Sequence, residues 1–595
     1  MAALKSFATA VILGVVLSQL ACVSGMPHSY SLGSSLKGFL HKVLDKFHAS
    51  VKCDACKAIV GFTQIAFKTN AAQDDVAGFV TNLCLKLKVE DTRVCKLVIQ
   101  EFKGEVLTVF DEFFLSSNEV CGTLFGSTCA KTFNPDIFWN VTFPKTPKPP
   151  VVPIPQPKAG SPVSRVLHIS DIHLDPLYTE GANPDCGEPL CCRSNDPTPG
   201  PGKRKAGKYG DYSCDTPLIT LENMLQHISK THKVDYVLWT GDIPPHNIWN
   251  QSRNAQLKSL DNAVDLILHY LPGVKVFPAI GNHEGSPVNS FPPPSITDEN
   301  SNSWLRNELA KDWGNWLPEY TMSTIKKGAF YSVLVSKGLR IVSINMNYCN
   351  NMNWWLLLDS IDPAGQLQWL VDTLQESEDN GEKVHIIGHI PPGSSDCLKA
   401  FSWNYYSIIN RYQSTVTAQF FGHTHSDEFE VFYDEKTRRI PISFAFLGPS
   451  VTPYQFHNPG YRIYDIDGDY DNSSRVVLNH ETYILDLIEA NKGEVQWTLE
   501  YNAKDAYKMP SLLPSAWHDL LIRMTKDPSL VELAYKYFYK SSPESIHGGK
   551  CDSPSCQKSF ICRMMEGRSN DDGLCFLHGL TVDRSIKHAY EKHVC

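Results

Sequence analysis

The chain has 595 residues, a formal net charge of −9 with neutral histidines, and 42% hydrophobic residues. This length exceeds what one hydrophobic core supports and predicts about three folding units. The negative charge argues against nucleic acid as a partner, because phosphate backbones attract basic surfaces. The chain has 21 histidines, and protonation of most of the exposed ones near pH 5 would make the surface positive. We therefore expect an anionic membrane surface as a partner at low pH.

The first 25 residues have the pattern of a secretory signal peptide. Lys5 carries a positive charge, residues 7–20 form an apolar run, and small residues follow. No other stretch reaches the roughly 20 apolar residues that span a bilayer. We therefore expect a soluble chain in a luminal or secreted location. N-glycosylation is predicted at the three Asn-x-Ser/Thr sites, which are Asn140, Asn250 and Asn472.

Residues 50–131 form the first predicted unit, which contains six cysteines. Apolar residues at helical spacing over residues 56–67 and 94–102 predict helices. A unit of this size has a small core, so disulfides are expected to stiffen it, but the spacing alone does not choose the pairing.

The cysteine pattern of this unit resembles the saposin family of lipid-handling helical modules. The resemblance implies the pairs Cys53–Cys129, Cys56–Cys121 and Cys84–Cys95. A plain disulfide-stapled helical domain without a lipid role is the alternative. The amphipathic stretch at residues 34–47 either adds to membrane contact or belongs to a disordered propeptide.

Residues 132–163 are rich in proline, which excludes helices and interior strands. They predict a semi-rigid, extended linker between the first unit and the next.

Residues 164–502 form the second predicted unit, in which strand-like runs alternate with helical patterns such as residues 218–232 and 254–269. This alternation predicts an α/β layered fold. Four clustered cysteines predict two local disulfides, and a further disulfide is predicted between Cys349 and Cys397. A tetrahedral zinc site is the alternative for the cluster, which comprises Cys186, Cys191, Cys192 and Cys214.

Residues 503–595 are mainly helical in pattern, with helices predicted over residues 515–525 and 529–540. They predict a small disulfide-bound unit that braces the second unit. Its paired cysteines are expected to be Cys551, Cys556, Cys562 and Cys575. Seventeen cysteines remain beyond the signal sequence, so one thiol should lack a partner, and the terminal Cys595 is the candidate.

Five short stretches place a metal-binding side chain in a turn after an apolar run, and four of them have a glycine just before the ligand. Glycine lets the backbone turn sharply beside an ion. Nitrogen and oxygen ligands without thiolate suit zinc, manganese or iron. The stretches are residues 171–173, 241–242, 281–284, 388–389 and 422–425.

The residue types of these motifs and their order along the chain resemble those of the calcineurin-like metallophosphoesterase superfamily. The resemblance implies that Asp242 bridges two ions. It assigns Asp171, His173 and His425 to one ion, and Asn282, His389 and His423 to the other. A hydroxide bridging the ions would then attack phosphorus.

The same resemblance implies roles for two further histidines. His283 would act as the general acid and His246 would stabilise charge on the phosphoryl oxygens. The alternative for His246 is a loop histidine without a kinetic role. His168 and His385 lie inside strand-like runs and are predicted to be core residues.

Residues 362–370, 383–392, 419–425 and 458–462 resemble the acid sphingomyelinase family more narrowly. This resemblance implies hydrolysis of sphingomyelin to ceramide and phosphocholine with two Zn²⁺ ions, in lysosomes or after secretion. It also implies a monomer that meets sphingomyelin in membranes or lipoproteins. The implied fold is an α+β multidomain chain in which the metal-binding unit is a β-sandwich with flanking helices.

Substrate recognition is less evident in the sequence. Tyr454 matches a family position beside the metal site and is the candidate headgroup contact. Residues 353–356 form either a lipid-facing lip or core, and residues 350–353 lack the acidic residue that a cationic headgroup would favour. The alternative functions are a secreted phosphodiesterase for nucleotides or other soluble diesters, and a lipid-transfer protein with a vestigial catalytic domain.

Overall fold

The computed structural model describes residues 70–86, 89–113, 139–154, 157–158, 160–577 and 579–580. The predicted signal peptide, the stretch at residues 34–47, Cys595, and the implied pairs Cys53–Cys129 and Cys56–Cys121 lie outside the described residues. Within that part of the chain, none of the helices combines the length and apolar character needed to cross a bilayer.

Helices and strands alternate through the central part of the chain. The strands are β1 (Val163–Ile169), β2 (Tyr236–Trp239), β3 (Lys275–Pro278), β4 (Tyr331–Ser336), β5 (Leu339–Ser343), β6 (Lys383–Ile387), β7 (Val416–Phe421), β8 (Glu428–Tyr433), β9 (Pro441–Leu447), β10 (Gly460–Asp467), β11 (Val477–Leu485) and β12 (Trp497–Asn502).

The α-helices cover the faces of these strands and form most of the two ends of the described chain. They are α1 (Asn70–Lys86), α2 (Thr92–Phe113), α3 (Leu218–Thr231), α4 (Arg253–Tyr270), α5 (Ser303–Trp313), α6 (Met322–Gly328), α7 (Gln366–Asp379), α8 (Lys399–Arg411), α9 (Leu487–Asn491), α10 (Ala503–Tyr507), α11 (Pro514–Met524), α12 (Pro528–Phe538), α13 (Glu544–His547), α14 (Pro554–Met565) and α15 (Asp572–Leu577).

The strands form two six-stranded mixed sheets. One has the order β12-β11-β10-β1-β2-β3, and the other has the order β4-β5-β6-β7-β9-β8. Strands β1, β2 and β3 are parallel to one another, as are β5, β6, β7 and β9. Consecutive parallel strands bring the loops that follow them to one edge of each sheet.

The two sheets pack face to face around a shared aromatic core. Phe420 of β7 meets Tyr464 of β10 with ring centroids 4.9 Å apart. Tyr331 of β4 donates a hydrogen bond of 2.9 Å to the carbonyl of Pro278 at the end of β3. The predicted β-sandwich with flanking helices is therefore confirmed.

The two strand histidines are core residues, as predicted. His168 is fully buried, its Nε2 lies 2.9 Å from Thr240 Oγ1, and burial lowers its pKa to about 3. Burial likewise lowers the pKa of His385 to about 4, and its Nε2 lies 2.7 Å from the carbonyl of Arg475. Both imidazoles are neutral hydrogen-bonding groups within the sandwich.

Six disulfides form in the described part of the chain. Two of them link the four clustered cysteines in pairs, so the alternative of a zinc site in this insertion is wrong. The six pairs are Cys84–Cys95, Cys186–Cys191, Cys192–Cys214, Cys349–Cys397, Cys551–Cys556 and Cys562–Cys575.

The C-terminal helices pack on the outer part of the second sheet. Trp517 of α11 stacks on Phe444 of β9 with ring centroids 4.5 Å apart. Arg563 of α14 forms an ion pair of 2.7 Å with Glu428 of β8. An apolar stack and a charge pair therefore fasten these helices to the sandwich.

The described part of the proline-rich linker contains no helix and is attached to the sandwich. Asn404 of α8 donates to the carbonyl of Trp139 (2.7 Å) and accepts from the amide of Val141 (2.9 Å). Gln368 of α7 pairs with both main-chain groups of Thr142. These contacts fix the start of the linker along two helices.

Helix α2 of the N-terminal unit also contacts the sandwich. Arg93 Nε donates to Glu188 Oε1 over 2.6 Å, and α2 packs on the short 3₁₀ helix Trp354–Leu357. One turn apart on α2, Glu101 contacts Ser286 and Glu105 contacts Ser290. Burial raises the pKa of each carboxyl to about 7, and only hydroxyl groups oppose it.

Docking of α2 should therefore weaken as the pH rises. Below pH 4.5 the carboxyl of Glu105 is protonated whether docked or free, so its burial carries no charge penalty. Between pH 4.5 and about 7 the undocked state ionises first, and docking loses on the order of 3 kcal/mol from this 5% exposed group. Glu105→Gln should remove the share of this pH dependence that Glu105 contributes and leave that of Glu101.

Hydrogen exchange of the α2 amides at pH 5 and pH 7.5, corrected for intrinsic rates, measures the effect. The exposed Glu532→Gln is the matched control and should behave like the wild type. Equal protection of wild-type α2 at the two pH values would contradict the prediction.

Candidate metal centre

Seven predicted ligand side chains converge at one edge of the sandwich. Each follows the carboxyl end of a parallel strand, namely β1, β2, β3, β6 or β7, and all seven are at most 2% exposed. Buried polar groups without water require partners of their own. The seven are Asp171, His173, Asp242, Asn282, His389, His423 and His425.

Three ligands form a first group around Asp242. His173 Nε2 lies 3.5 Å from Asp242 Oδ2 and 3.2 Å from His425 Nε2. His425 Nε2 is 3.8 Å from Asp171 Oδ1. These are the side chains that the family resemblance assigns to one ion.

A second group lies on the other side of the same carboxylate. His389 Nε2 is 3.0 Å from both Asp242 Oδ2 and Asn282 Oδ1. His423 Nδ1 is 3.1 Å from Asn282 Oδ1. Asp242 Oδ2 therefore faces both groups, as the predicted bridging position requires.

The outward nitrogens of three imidazoles define which atoms face the centre. His173 Nδ1 is 2.8 Å from the carbonyl of Pro244, and His389 Nδ1 is 2.7 Å from the carbonyl of Thr240. His423 Nε2 is 3.1 Å from Asp396 Oδ2. A carbonyl or carboxylate accepts a hydrogen bond, so each ring directs an N–H outward, and a neutral ring presents a lone pair inward.

The inward atoms of neutral rings are acceptors that face other acceptors, whereas at His389 the charges of Asp242 and Asp171 outweigh burial and raise the pKa to about 9. Burial and neighbouring histidines hold the pKa values of His173 and His425 well below the usual range, so neither ring brings a proton. Lone pairs and carboxylates at 3.0–3.8 Å are compatible with one another when cations lie between them. The residues present fit two metal ions held by nitrogen and oxygen.

The backbone at the ligands corrects the role expected for the glycines. The left-handed turns are made by five of the ligands themselves, with φ values of 41–74°. Of the four glycines, only Gly241 has a positive φ. At Gly281 and Gly422 the constraint is space: a Cβ would lie 2.1 Å from Asp242 Oδ1 and 1.9 Å from Ser170 Oγ, respectively.

The two further predicted histidines lie beside the first group. The ring of His246 is 3.9 Å from that of His173 and 4.6 Å from that of His283, centroid to centroid. His246 Nε2 and both ring nitrogens of His283 are buried without a hydrogen-bond partner. Burial lowers the pKa of His283 to about 4, against the opposing charge of Asp242. Both rings are thus placed to exchange protons with a bound molecule.

Sequence reasoning missed Asp215, which holds His246. Its two oxygens accept from His246 Nδ1 and from the His246 main-chain amide, each over 2.7 Å. Asp215 lies in the cysteine-rich insertion and follows no strand, so the strand-end pattern gave no signal for it. The carboxylate fixes the ring so that Nε2 points toward the metal centre.

Two other carboxylates also support the ligands. Asp396 holds His423, and the fully buried Glu284 accepts from the amides of Ile243 (2.7 Å) and Gly281 (2.7 Å). Glu284 belongs to a motif that the sequence singled out, although no role was assigned to it there. Asp396 follows two serines in a loop, and no sequence pattern predicted its role.

Tyr454 lies against the catalytic candidates. Its ring centroid is 4.4 Å from that of His246, and its hydroxyl donates to the carbonyl of Pro189 over 3.1 Å. Burial, Asp215 and Glu90 raise its pKa. In the segment proposed as a lip, Trp355 is buried and donates to Ser290 Oγ, so its indole belongs to the core.

Comparisons with known proteins agree with this arrangement. The model of the calcineurin-like phosphoesterases matches residues 164–427, and that of the acid sphingomyelin phosphodiesterase C-terminal region matches residues 440–575. Sphingomyelin phosphodiesterase of Bos taurus is 47% identical over 531 residues, covering 88% of this chain and 84% of its own. Sphingomyelin phosphodiesterase of Homo sapiens is 44% identical over 560 residues, covering 92% and 87%.

A solved structure with a related fold is a dimetal phosphatase from Danio rerio. It is 15% identical, with a TM-score of 0.34, and the match covers 54% of this chain and 95% of that one.

The close packing at Gly422 yields a test of the centre. Gly422→Ala should place a methyl group against Ser170 and Asp171, displace the ligand loop and reduce bound metal to fewer than two ions per chain. The strain should also lower the free energy of unfolding by about 1–3 kcal/mol. Metal analysis after dialysis and thermal unfolding measure both effects.

Gly104→Ala on α2 is the control, because a Cβ there meets no atom within 4 Å. It should keep the wild-type metal content. A fully loaded Gly422→Ala variant would contradict the described packing.

Proposed function

The chain belongs to the sphingomyelin phosphodiesterase family, and on that premise we propose that it hydrolyses sphingomyelin to ceramide and phosphocholine. The observation that carries the proposal is the convergence of the seven ligands with His246 and His283 in one buried cluster. Burying acceptor atoms that face one another costs free energy, and a vestigial domain would gain nothing that offsets this cost.

Zinc is the proposed metal, because imidazole nitrogen and carboxylate or amide oxygen suit it. Asp171, His173 and His425 would hold one ion, the other three ligands would hold the second, and Asp242 would bridge them. Two such ions lower the pKa of a water and offset the negative charge of a phosphate ester.

The chain supplies the proton chemistry around that pair. His283 has two buried ring nitrogens without partners, and a protonated His283 would give its proton to the leaving alkoxide oxygen of ceramide. His246 donates from Nδ1 to Asp215, so a protonated His246 would also donate from Nε2 to a phosphoryl oxygen. Burial of both rings excludes water that would compete for these hydrogen bonds.

Tyr454 is the proposed contact for the cationic headgroup. Its aromatic ring stands beside His246, and a quaternary ammonium favours an aromatic face. Glu90, in the loop that precedes α2, lies near Tyr454, but burial raises the pKa of this carboxyl to about 8, so it is neutral at mildly acidic pH.

The N-terminal helical unit is proposed to bring the site to membranes or lipoproteins, including anionic membrane surfaces at low pH. Support comes from its place in the molecule, because α2 packs on residues next to the metal-site loop at Ser286 and Ser290. A soluble site acts on a lipid only if a neighbouring surface engages the bilayer.

Residence in the lysosomal lumen or outside the cell, as a glycosylated monomer, is proposed as well. Six disulfides in the described residues favour an oxidising compartment, and all three predicted acceptor asparagines are exposed.

Liposomes that contain sphingomyelin and phosphatidylcholine together test the function at mildly acidic pH. Phosphocholine and ceramide should be released from sphingomyelin, and a metal chelator should abolish the release. Readdition of Zn²⁺ should restore it. Hydrolysis of nucleotide diesters without hydrolysis of sphingomyelin would instead support the secreted soluble-diester alternative.

A charge exchange tests the membrane-access role. Arg93→Glu places two acids together and should undock α2, lowering hydrolysis in liposomes about tenfold more than hydrolysis of a soluble chromogenic diester. The matched variant Arg93→Glu with Glu188→Arg restores opposite charges and should recover liposome activity. Equal losses on the two substrates would count against this role.

A further inference from the structure

A buried cation from the C-terminal unit lies behind the metal centre. Lys540 comes two residues after α12, is fully buried, and has a left-handed backbone with φ of 51°. Its ammonium donates to the carbonyl of Ser450 over 2.8 Å and to Ser450 Oγ over 2.5 Å. Both acceptors are neutral, so they compensate the burial of a full charge only in part.

Ser450 is in the turn of residues 448–454, which is attached to the metal ligands through the main chain. The amide of Ser450 donates to the carbonyl of His425, and the amide of Thr452 donates to the carbonyl of Asp171. The amide of Val451 donates to the carbonyl of Ser170 over 3.0 Å. The turn therefore runs beside the loops that follow β1 and β7.

The same turn also reaches the proton-transfer residues. Thr452 Oγ1 donates to Asp215 Oδ1 over 3.2 Å, and that oxygen accepts from His246 Nδ1. Tyr454, two residues on, stacks against the ring of His246. A shift of the turn would move the hydroxyl that orients Asp215 and, with it, the direction of His246 Nε2.

We propose that Lys540 is a positioning residue for the reaction: it fixes the turn of residues 448–454 so that Thr452 holds Asp215 and His246 in place. Lys540 touches neither substrate nor metal and acts through this chain of contacts. The C-terminal unit then contributes to turnover as well as bracing the sandwich. This inference rests on the proposed hydrolysis of a phosphodiester at the centre.

The test begins with Lys540→Met, which keeps the length of the side chain and removes the charge and the donors. For a soluble chromogenic phosphodiester, kcat should fall about 10- to 100-fold while KM stays within about twofold. Two metal ions per chain should remain bound. A loss that only matches the loss of metal or of folded protein would overturn the proposal.

Arg438→Met is the matched control. Arg438 also links the sandwich to the C-terminal unit, through an ion pair of 2.7 Å with Asp571, but it does not contact the turn. Its kcat should equal that of the wild type. A similar fall in both variants would assign the effect to docking of the C-terminal unit in general.

A double-mutant cycle with Thr452→Val separates positioning from bulk stability. If Lys540 acts through Thr452, the double variant should lose no more kcat than the more affected single variant. Additive losses would overturn the proposal. If Lys540→Met does not fold, Ser450→Ala enters the same cycle, because it removes one acceptor of the ammonium. A wild type that hydrolyses no phosphodiester refutes the proposed function instead.

Discussion

The architecture of the site depends on closely packed imidazole, carboxylate and amide acceptors, which cations between them would hold together. Three imidazoles send their N–H groups outward to a carbonyl or carboxylate, so their lone pairs face Asp242 and Asn282 in a space closed to water. Such a cluster is unfavourable when empty and favourable when filled, because the ions bond the atoms that otherwise repel one another. The two sheets, the ligand loops and the supporting carboxylates all serve to hold this arrangement.

The proposed chemistry is shared among four parts of the chain. The sandwich provides the predicted metal ligands and the two histidines that are proposed to move protons. The cysteine-rich insertion contributes Asp215, which fixes one of those histidines. The C-terminal unit contributes Lys540, which meets the turn behind the metal site, and α2 of the N-terminal unit packs against the loop that follows His283. The proposed catalysis therefore depends on the assembled chain.

The sequence allowed prediction of the groups that follow a regular pattern. Ligands at strand ends are recognisable because each comes after an apolar run, and helices such as α11 were predicted within one residue at each end. The roles of Asp215 and Lys540 were not predicted, because their partners lie 31 and 90 residues away along the chain, at positions without periodicity. The positions of the glycines were predicted correctly, but the close packing that requires them was not. The distance between two loops is not visible in one sequence.

The left-handed backbone at five of the ligands has a consequence for the chemistry of the centre. Asn, Asp and His adopt this conformation several-fold more readily than most other residues, whereas long or β-branched side chains resist it. The backbone conformation of these loops therefore restricts which residue types occupy the ligand positions, independently of any bound ion. A glutamate in place of Asp242 would keep the negative charge, but its longer side chain is less favourable in the left-handed conformation. Gly281 also packs closely against this position and leaves little space for a longer side chain. The restricted set of ligand residue types therefore reflects the backbone conformation as much as the preference of the metal.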